Sequence, residues 1–247
     1  MYKTSLDPVP DTQSDSRVRI AIVAALEREV RPLVRRWVVC EKEYDGRSFR
    51  FFEKDEAVLV CGGIGGEPAR RATEAVIALY APHVVWSAGF AGALDSQFAV
   101  GDLQQPRRLV NAGDGSSVTL DTGEGTLVSF GSVADPGQKS KLRDSYAAQA
   151  VDMEASAVAR AADARRVRFR VLKVISDESD FEFPSVERFV DAQGQLSEFR
   201  FAIFAAVRPW LWPRVVQLIR NSGRASRVLC EKLAAIVSQT AEAVERA

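Results

Sequence analysis

The sequence predicts an α/β fold in which a largely parallel sheet carries helices on both faces. Apolar, β-branched segments of strand length alternate along the chain with segments whose apolar residues recur at helical spacing. No internal repeat and no linker interrupts this alternation, and 247 residues are enough for one large core. We therefore expect a flexible, polar tail over residues 1–17 and a single α/β domain over residues 18–247.

The first half of the chain supplies four predicted strands and two predicted helices. The strands cover residues 18–26, 48–53, 57–63 and 83–89, each an apolar run of strand length. The helices cover residues 27–37 and 67–80. In the second helix Pro68 falls in the first turn, where proline is well tolerated.

The second half continues the alternation after a region, residues 102–135, that is rich in Gly, Asp, Ser and Thr. This region predicts short strands and loops, with residues 125–130 the clearest strand. Asp135 before Pro136 predicts the start of a helix. Strands are then expected over residues 148–153 and 167–176, and helices over residues 135–147 and 154–166.

The C-terminal segment, residues 199–247, is predicted to be helical, basic and aromatic. Between residues 199 and 233 it carries six Arg and one Lys against a single acid, Glu231, with Phe and Trp interleaved. One interpretation is a helix that packs on the core and leaves its basic face in solvent. The other is a surface that contacts lipid or a long apolar substrate, which would make the protein a peripheral membrane protein.

Composition and net charge indicate which classes of binding partner and site to expect. Lys+Arg and Asp+Glu both number 33, so the net charge is zero and no general attraction to nucleic acid is expected. The three cysteines form no CxxC motif, and His83 is the single histidine, which argues against a zinc site or a disulfide scaffold. The N-terminus lacks the apolar core of a signal peptide, and no apolar run approaches the ~20 residues that span a bilayer. We expect a cytoplasmic protein that acts on a small molecule without a metal or cofactor.

Acidic residues follow several of the predicted strands. "VLKVISDESD" (171–180) ends an apolar run in Asp177, and the ends of other strands supply Glu29, Phe90 and Glu154. Ligands of such sheets bind outside the carboxyl ends of the strands. Solvated loops, or acids favoured by a helix dipole at Glu29, would also explain the pattern. However, burying several carboxylates is costly, and core packing does not require it.

The glycines of "CGGIGGEPA" (61–69) suggest a dinucleotide-binding turn, but the motif fails in detail. With Gly63 and Gly65 as the first two glycines, Pro68 stands in place of the third, and no acid follows about 20 residues later. The remaining interpretations are a tight strand-to-helix turn and a turn whose backbone approaches a small ligand.

Five motifs in order resemble the purine nucleoside phosphorylase and methylthioadenosine/S-adenosylhomocysteine nucleosidase superfamily. They are "RIAIVAALEREV", "CGGIGGEPARRATEAVI", "VVWSAGFAGALDSQFAVGDL", "AVDMEASAVARAA" and "FRVLKVISDESD". The resemblance implies a three-layer α/β/α fold with a mixed central sheet, cleavage of the N-glycosidic bond of a nucleoside, and a homodimer or higher homo-oligomer.

The resemblance also implies roles for individual residues. Asp177 would protonate the departing base, and Glu29 would polarise the attacking water. Met153 and Glu154 would hold the ribose. Further positions at the nucleoside would be Gly92, Ala134 and Ser176, the last orienting Asp177. Phe90 and Val133 occupy positions where the nucleosidases resembled carry a small serine and an aromatic ring, so we expect a remodelled adenine pocket.

Two alternatives to a nucleosidase remain. Phosphorylases of the superfamily share a cationic phosphate clamp, and neither of its two segments is present in register here; Arg28 is the only nearby cation in the first segment. Water is therefore favoured as the nucleophile. However, the C-terminal segment resembles a branch named hopanoid-associated phosphorylases, which are thought to act on an adenosyl group joined to a polycyclic lipid. The other alternative is a non-catalytic module that binds a nucleoside or a membrane surface.

Overall fold

The structure, a computed structural model, describes residues 19–182 and 209–245. Its strands are β1 (Ile20–Ala24), β2 (Val38–Tyr44), β3 (Arg47–Lys54), β4 (Ala57–Cys61), β5 (Val84–Ala93), β6 (Leu103–Gln104), β7 (Arg108–Asn111), β8 (Ser117–Thr119), β9 (Thr126–Ser129), β10 (Ala150–Asp152) and β11 (Arg168–Asp177). Its helices are α1 (Glu27–Val34), α2 (Gly66–Tyr80), α3 (Pro136–Tyr146), α4 (Ala155–Asp163) and α5 (Trp212–Glu245). The predicted tail and residues 199–208 lie outside the described residues.

The strands form one mixed sheet in the order β2-β3-β4-β1-β5-β10-β9-β7-β8, with β11 paired to β5 and β6. The inner strands β4, β1, β5 and β11 run parallel. Antiparallel pairs join β2, β3 and β4 at one edge, and β10 joins the last residues of β5 antiparallel. The predicted fold class is thereby confirmed.

Helices cover both faces of the sheet because its central strands are apolar on both sides. In β1, Ile20 and Ile22 face a core that contains residues of α1 and α5. Ala21 and Val23 face the opposite core, formed with α2 and α4. This alternation has the period of two that a strand imposes, and it produces three layers.

Strand β2 was not predicted from the sequence. It is an edge strand that pairs only with β3 among the described residues, and its side chains are mostly exposed or half-buried. Charged residues at Glu41, Lys42 and Glu43 remove the apolar signal that marks the buried strands. The predicted helix 27–37 is also shorter in the structure, ending at Val34.

Helix α5 is divided along its length. From Ala225 onward one face of the helix is buried against α1 and the sheet, with Leu229 and Leu233 fully enclosed. Before that point Trp212, Val216 and Ile219 are exposed, as is Trp210 in the preceding turn. None of the helices among the described residues combines the length and apolarity needed to cross a membrane.

Candidate active site

A cavity of about 160 Å³ opens at the carboxyl ends of β1, β5, β10 and β11. It is lined by all nine residues that the sequence singled out: Glu29, Phe90, Gly92, Val133, Ala134, Met153, Glu154, Ser176 and Asp177. These residues come from distant parts of the chain. Their convergence shows that the acids at the strand ends share one site and do not face separate patches of solvent.

A β-bulge places Asp177 in this cavity. Ile175 pairs with Ala91 and Asp177 pairs with the next residue, Gly92, so Ser176 is an extra residue in β11. A bulge of this kind re-aims the side chains that follow it. Both Ser176 and Asp177 consequently line the cavity, and Asp177 is only 3% exposed.

Both carboxylate oxygens of Asp177 accept hydrogen bonds. Ser176 Oγ donates to Oδ1 at 2.7 Å, and Lys139 Nζ donates to Oδ2 at 2.5 Å. The side chains fit because residue 92 is glycine. A Cβ there would lie 2.7 Å from Asp177 Oδ2 and 3.3 Å from Lys139 Cε. The acid end of the cavity is thus a tightly fitted ion pair.

Glu29, in the first turn of α1, forms a second acidic wall of the cavity. Burial, reinforced by the charge of Glu154, raises the pKa of Glu29 to about 7. Its backbone carbonyl accepts from Ser226 Oγ, which ties the turn to α5. By contrast, Glu29 Oε2 is buried without a hydrogen-bond partner among the described residues. An acceptor of this kind is suited to a water molecule or a ligand hydroxyl.

Glu154 stands between the glycine-rich turn and α4. Gly65 N–H donates to its Oε1 at 2.9 Å, so the turn approaches this side chain directly. Burial raises the pKa of Glu154, while the ammonium of Lys173, 3.7 Å from Oε2, acts in the opposite direction. The hydrogen bond from Gly65 and the ammonium of Lys173 together hold the Glu154 carboxylate in position at the cavity wall.

Lys173 and Asp152 form a buried ion pair beneath the cavity, with Nζ 2.8 Å from Oδ2. Asp152 also accepts from Ser129 Oγ at 2.6 Å and from the Ala155 backbone N–H at 2.8 Å. These bonds hold the turn from β10 into α4, which carries Met153 and Glu154. Asp152 is therefore fully engaged in fixing the turn.

Sequence reasoning missed the two buried lysines. Lys173 interrupts the apolar strand β11, and Lys139 falls on the inward face of α3 with Leu142, three residues on. Each position carried a signal, because a charge within an apolar stripe is expected to have a partner. Of the two acids that follow Asp177, Asp180 is exposed and Glu178 is half-buried.

Comparison with known proteins places this site in a family. The sequence profile of the phosphorylase superfamily matches residues 19–137 and 118–207. The chain belongs to the phosphorylase superfamily. Every lining residue of the cavity lies within the matched ranges, so the cavity is a feature of the superfamily domain.

Solved structures with the same fold include two proteins of Helicobacter pylori. Its futalosine hydrolase aligns with a TM-score of 0.69 at 18% identity, over 92% of this chain and all of that one. Its 5′-methylthioadenosine/S-adenosylhomocysteine nucleosidase, complexed with a substituted pyrrolidinol, aligns with a TM-score of 0.68 at 18% identity, over 91% of this chain and all of that one.

A third similar structure is the 5′-methylthioadenosine/S-adenosylhomocysteine nucleosidase of Neisseria meningitidis in complex with methylthio-immucillin-A. It aligns with a TM-score of 0.67 at 18% identity, over 90% of this chain and 99% of that one. At these identities the three structures show a shared fold.

Proposed function

We propose that the chain is a nucleosidase that hydrolyses the N-glycosidic bond of an adenine nucleoside carrying a 5′ substituent. One observation carries the proposal: three buried carboxylates from different strand ends, Glu29, Glu154 and Asp177, line a single small cavity. Acids so placed suit a reaction that needs protonation of a leaving group, stabilisation of a cation and activation of water.

The chemistry assigns one task to each acid. Cleavage leaves an electron pair on the base and positive charge on the ribose. The Asp177 end protonates the base, and the Glu154 carboxylate faces the ribose cation, with Met153 beside it. Glu29, whose Oε2 lacks a partner among the described residues, orients the attacking water and takes up its proton.

The pairing of the buried lysines with carboxylates favours water over phosphate as the nucleophile, because a phosphate site needs cations that can bind the anion. Lys139 and Lys173 are each paired with carboxylates, Asp177 and Asp152 respectively. Arg28 lines the cavity as well and favours the rival reaction, phosphorolysis. Because Arg28 lies between Glu27 and Glu29, it makes a poor phosphate clamp.

The substrate class follows from the similar structures and the lining of the cavity. One structure of the Helicobacter pylori nucleosidase holds 5′-methylthioadenosine in its active site. Here Phe90, Val133 and Ala134 supply an apolar wall that suits a purine ring. We infer an adenine nucleoside bearing a methylthio, homocysteinyl or lipid-type 5′ group.

Base release measured in phosphate-free buffer tests the proposal. Purified protein is offered methylthioadenosine, S-adenosylhomocysteine, adenosine and an adenosyl-lipid, and free adenine is quantified by chromatography. We expect adenine and the free 5′-substituted ribose from at least one of them. Release that requires phosphate and yields a ribose 1-phosphate would establish a phosphorylase, and binding without release would establish a non-catalytic module.

We further propose peripheral contact with lipid through the exposed tryptophans of the C-terminal segment, Trp210 and Trp212. Trp210 and Trp212 are 71% and 53% exposed, and Arg214 and Arg220 lie nearby in the sequence. Sedimentation with anionic liposomes should decrease when both tryptophans are changed to serine, and an intact chain that does not sediment would contradict the contact. The protein is also expected to be a cytoplasmic homo-oligomer. Sedimentation velocity measures its oligomeric state directly.

A further inference from the structure

Lys139 is a buried lysine that the proposed reaction has not yet used. Its side chain lines the cavity, and the residue is 1% exposed. Nζ donates to Asp177 Oδ2 at 2.5 Å and to the Glu178 backbone carbonyl at 2.6 Å. An ammonium group has three protons, so one is left after these two bonds.

The local structure of α3 does not account for a buried cation at this position. The helix begins with a complete capping box. The Asp135 side chain accepts from Gln138 N–H, and the Gln138 side chain accepts from Asp135 N–H. Lys139 follows in the first turn, where the helix dipole disfavours positive charge. Burying its ammonium carries a further cost that only a close anion offsets. The position is therefore explained by Asp177 and the cavity.

The hydrogen bonds around Asp177 bring a side-chain partner to each of its oxygens. Both of its oxygens accept, from Ser176 and from Lys139. Lys139 Nζ, 2.5 Å from Oδ2, is therefore placed to supply a proton to Asp177.

We propose that Lys139 is the proton source for the departing base and that Asp177 passes the proton on. This rests on the proposed nucleosidase function. As the C1′–N bond breaks, its electron pair stays on the base, and a ring nitrogen takes a proton from Asp177. That proton reaches the Asp177 carboxylate from the Nζ–H bond of Lys139, which becomes a neutral amine. Solvent then returns a proton to Lys139, matching the proton that the attacking water gives up at Glu29.

Replacing Lys139 separates this proposal from one in which Asp177 acts alone. Lys139→Met removes the ammonium and keeps a long side chain, so it tests whether adenine release depends on a proton from Nζ. If Asp177 acts alone, Lys139→Met keeps adenine release. If Lys139 is the source, Lys139→Met lowers kcat for adenine release by about 10²–10⁴-fold, the range for general acid catalysis.

A second substrate separates loss of the proton source from loss of structure. The 4-nitrophenyl riboside with the same 5′ group releases nitrophenolate, which leaves without a proton. Lys139→Met should hydrolyse it within about threefold of the parent rate while adenine release falls. Lys141→Met, an exposed lysine on the same helix, should leave both substrates unchanged. Added ethylammonium should restore part of adenine release to Lys139→Ala.

The possible results overturn different statements. A parent protein that releases no adenine from any substrate refutes the proposed function itself. A parent that is active, with Lys139→Met equally active on adenine nucleosides, refutes the role of Lys139 alone. If Lys139→Met is unstable, the double variant Lys139→Met/Asp177→Asn removes both charges and is tested instead; adenine release that survives in it overturns the proposal.

Discussion

The two acidic ends of the cavity are both buried but are satisfied in different ways. Asp177 is 3% exposed and has a partner on each oxygen, one of them the ammonium of Lys139. Glu29 is 6% exposed, its pKa is raised to about 7, and its Oε2 has no hydrogen-bond partner among the described residues. One end is a closed ion pair and the other an open acceptor, which is the asymmetry that protonating a base and activating water require.

Removing the carboxylate of the closed end is expected to have the largest effect. Asp177→Asn breaks the path between Lys139 and the base, so kcat for adenine release should fall by about 10²–10⁴-fold. Asp180→Asn, an exposed acid three residues later, serves as the control. Adenine release is measured for both, with melting temperatures to verify folding; unchanged turnover in Asp177→Asn would show that another group protonates the base.

A methyl group added at Gly92, where β5 contacts the Asp177–Lys139 ion pair, should displace this ion pair without removing a charge. Gly92→Ala would bring a Cβ within 2.7 Å of Asp177 Oδ2. Misplacement of catalytic groups by about 1 Å can cost about 100-fold, and a loss near that size in kcat/KM is expected. Gly223→Ala, where a Cβ meets no atom within 4 Å, should leave kcat/KM unchanged. Equal rates in both variants would show that the fit at Gly92 is unimportant.

Glu29, at the open end, should make the free energy of unfolding depend on pH. A carboxyl whose pKa is about 7 when folded, against 4.5 unfolded, binds protons more tightly in the folded state, so its effect on stability becomes unfavourable as pH rises between these values. At ~1.4 kcal/mol per pKa unit, Glu29→Gln should stabilise the protein by up to roughly 3 kcal/mol at pH 8 and little at pH 4.

Urea unfolding of Glu29→Gln and the parent at both pH values measures this difference, with Glu27→Gln as the neighbouring control. A Glu29→Gln variant that is less stable than the parent at pH 8 would show that ionised Glu29 is stabilised in the fold.

The smallest expected effect concerns the second partner of Asp177. Ser176→Ala removes one hydrogen bond to a charged group, ~1.5 kcal/mol, so adenine release should decrease by about tenfold. Ser179→Ala, beyond the strand, is the control. If Ser176→Ala matched the loss in Asp177→Asn, Ser176 would have a role beyond orienting the carboxylate.

Sequence reasoning reached most of the fold because the central strands and the helices on them are strongly patterned. Largely apolar segments lie at residues 84–93 and, interrupted by Lys173, at residues 171–175, and α3 begins at the Asp135–Pro136 signal. Strand β2 was missed because its charged residues are compatible with an edge strand but carry no apolar period.

The acids of the site could be placed together because parallel strands end at the same edge of the sheet. Their partners could not, because the pairing of Lys139 with Asp177 joins residues 38 positions apart through a helix whose register the sequence leaves undetermined. The bulge at Ser176 is likewise a property of strand pairing, and it decides that Asp177 faces the cavity.

The most direct test compares two substrates that differ in leaving group, adenine and nitrophenolate, in Asp177→Asn and Glu29→Gln. It asks whether Asp177 and Glu29 have different roles in proton transfer. Asp177→Asn should lose adenine release and retain release of nitrophenolate from the matched 4-nitrophenyl riboside, whereas Glu29→Gln should lose both. Equal losses on both substrates in the two variants, or undiminished adenine release by Asp177→Asn, would contradict opposite proton tasks at the two ends of the cavity.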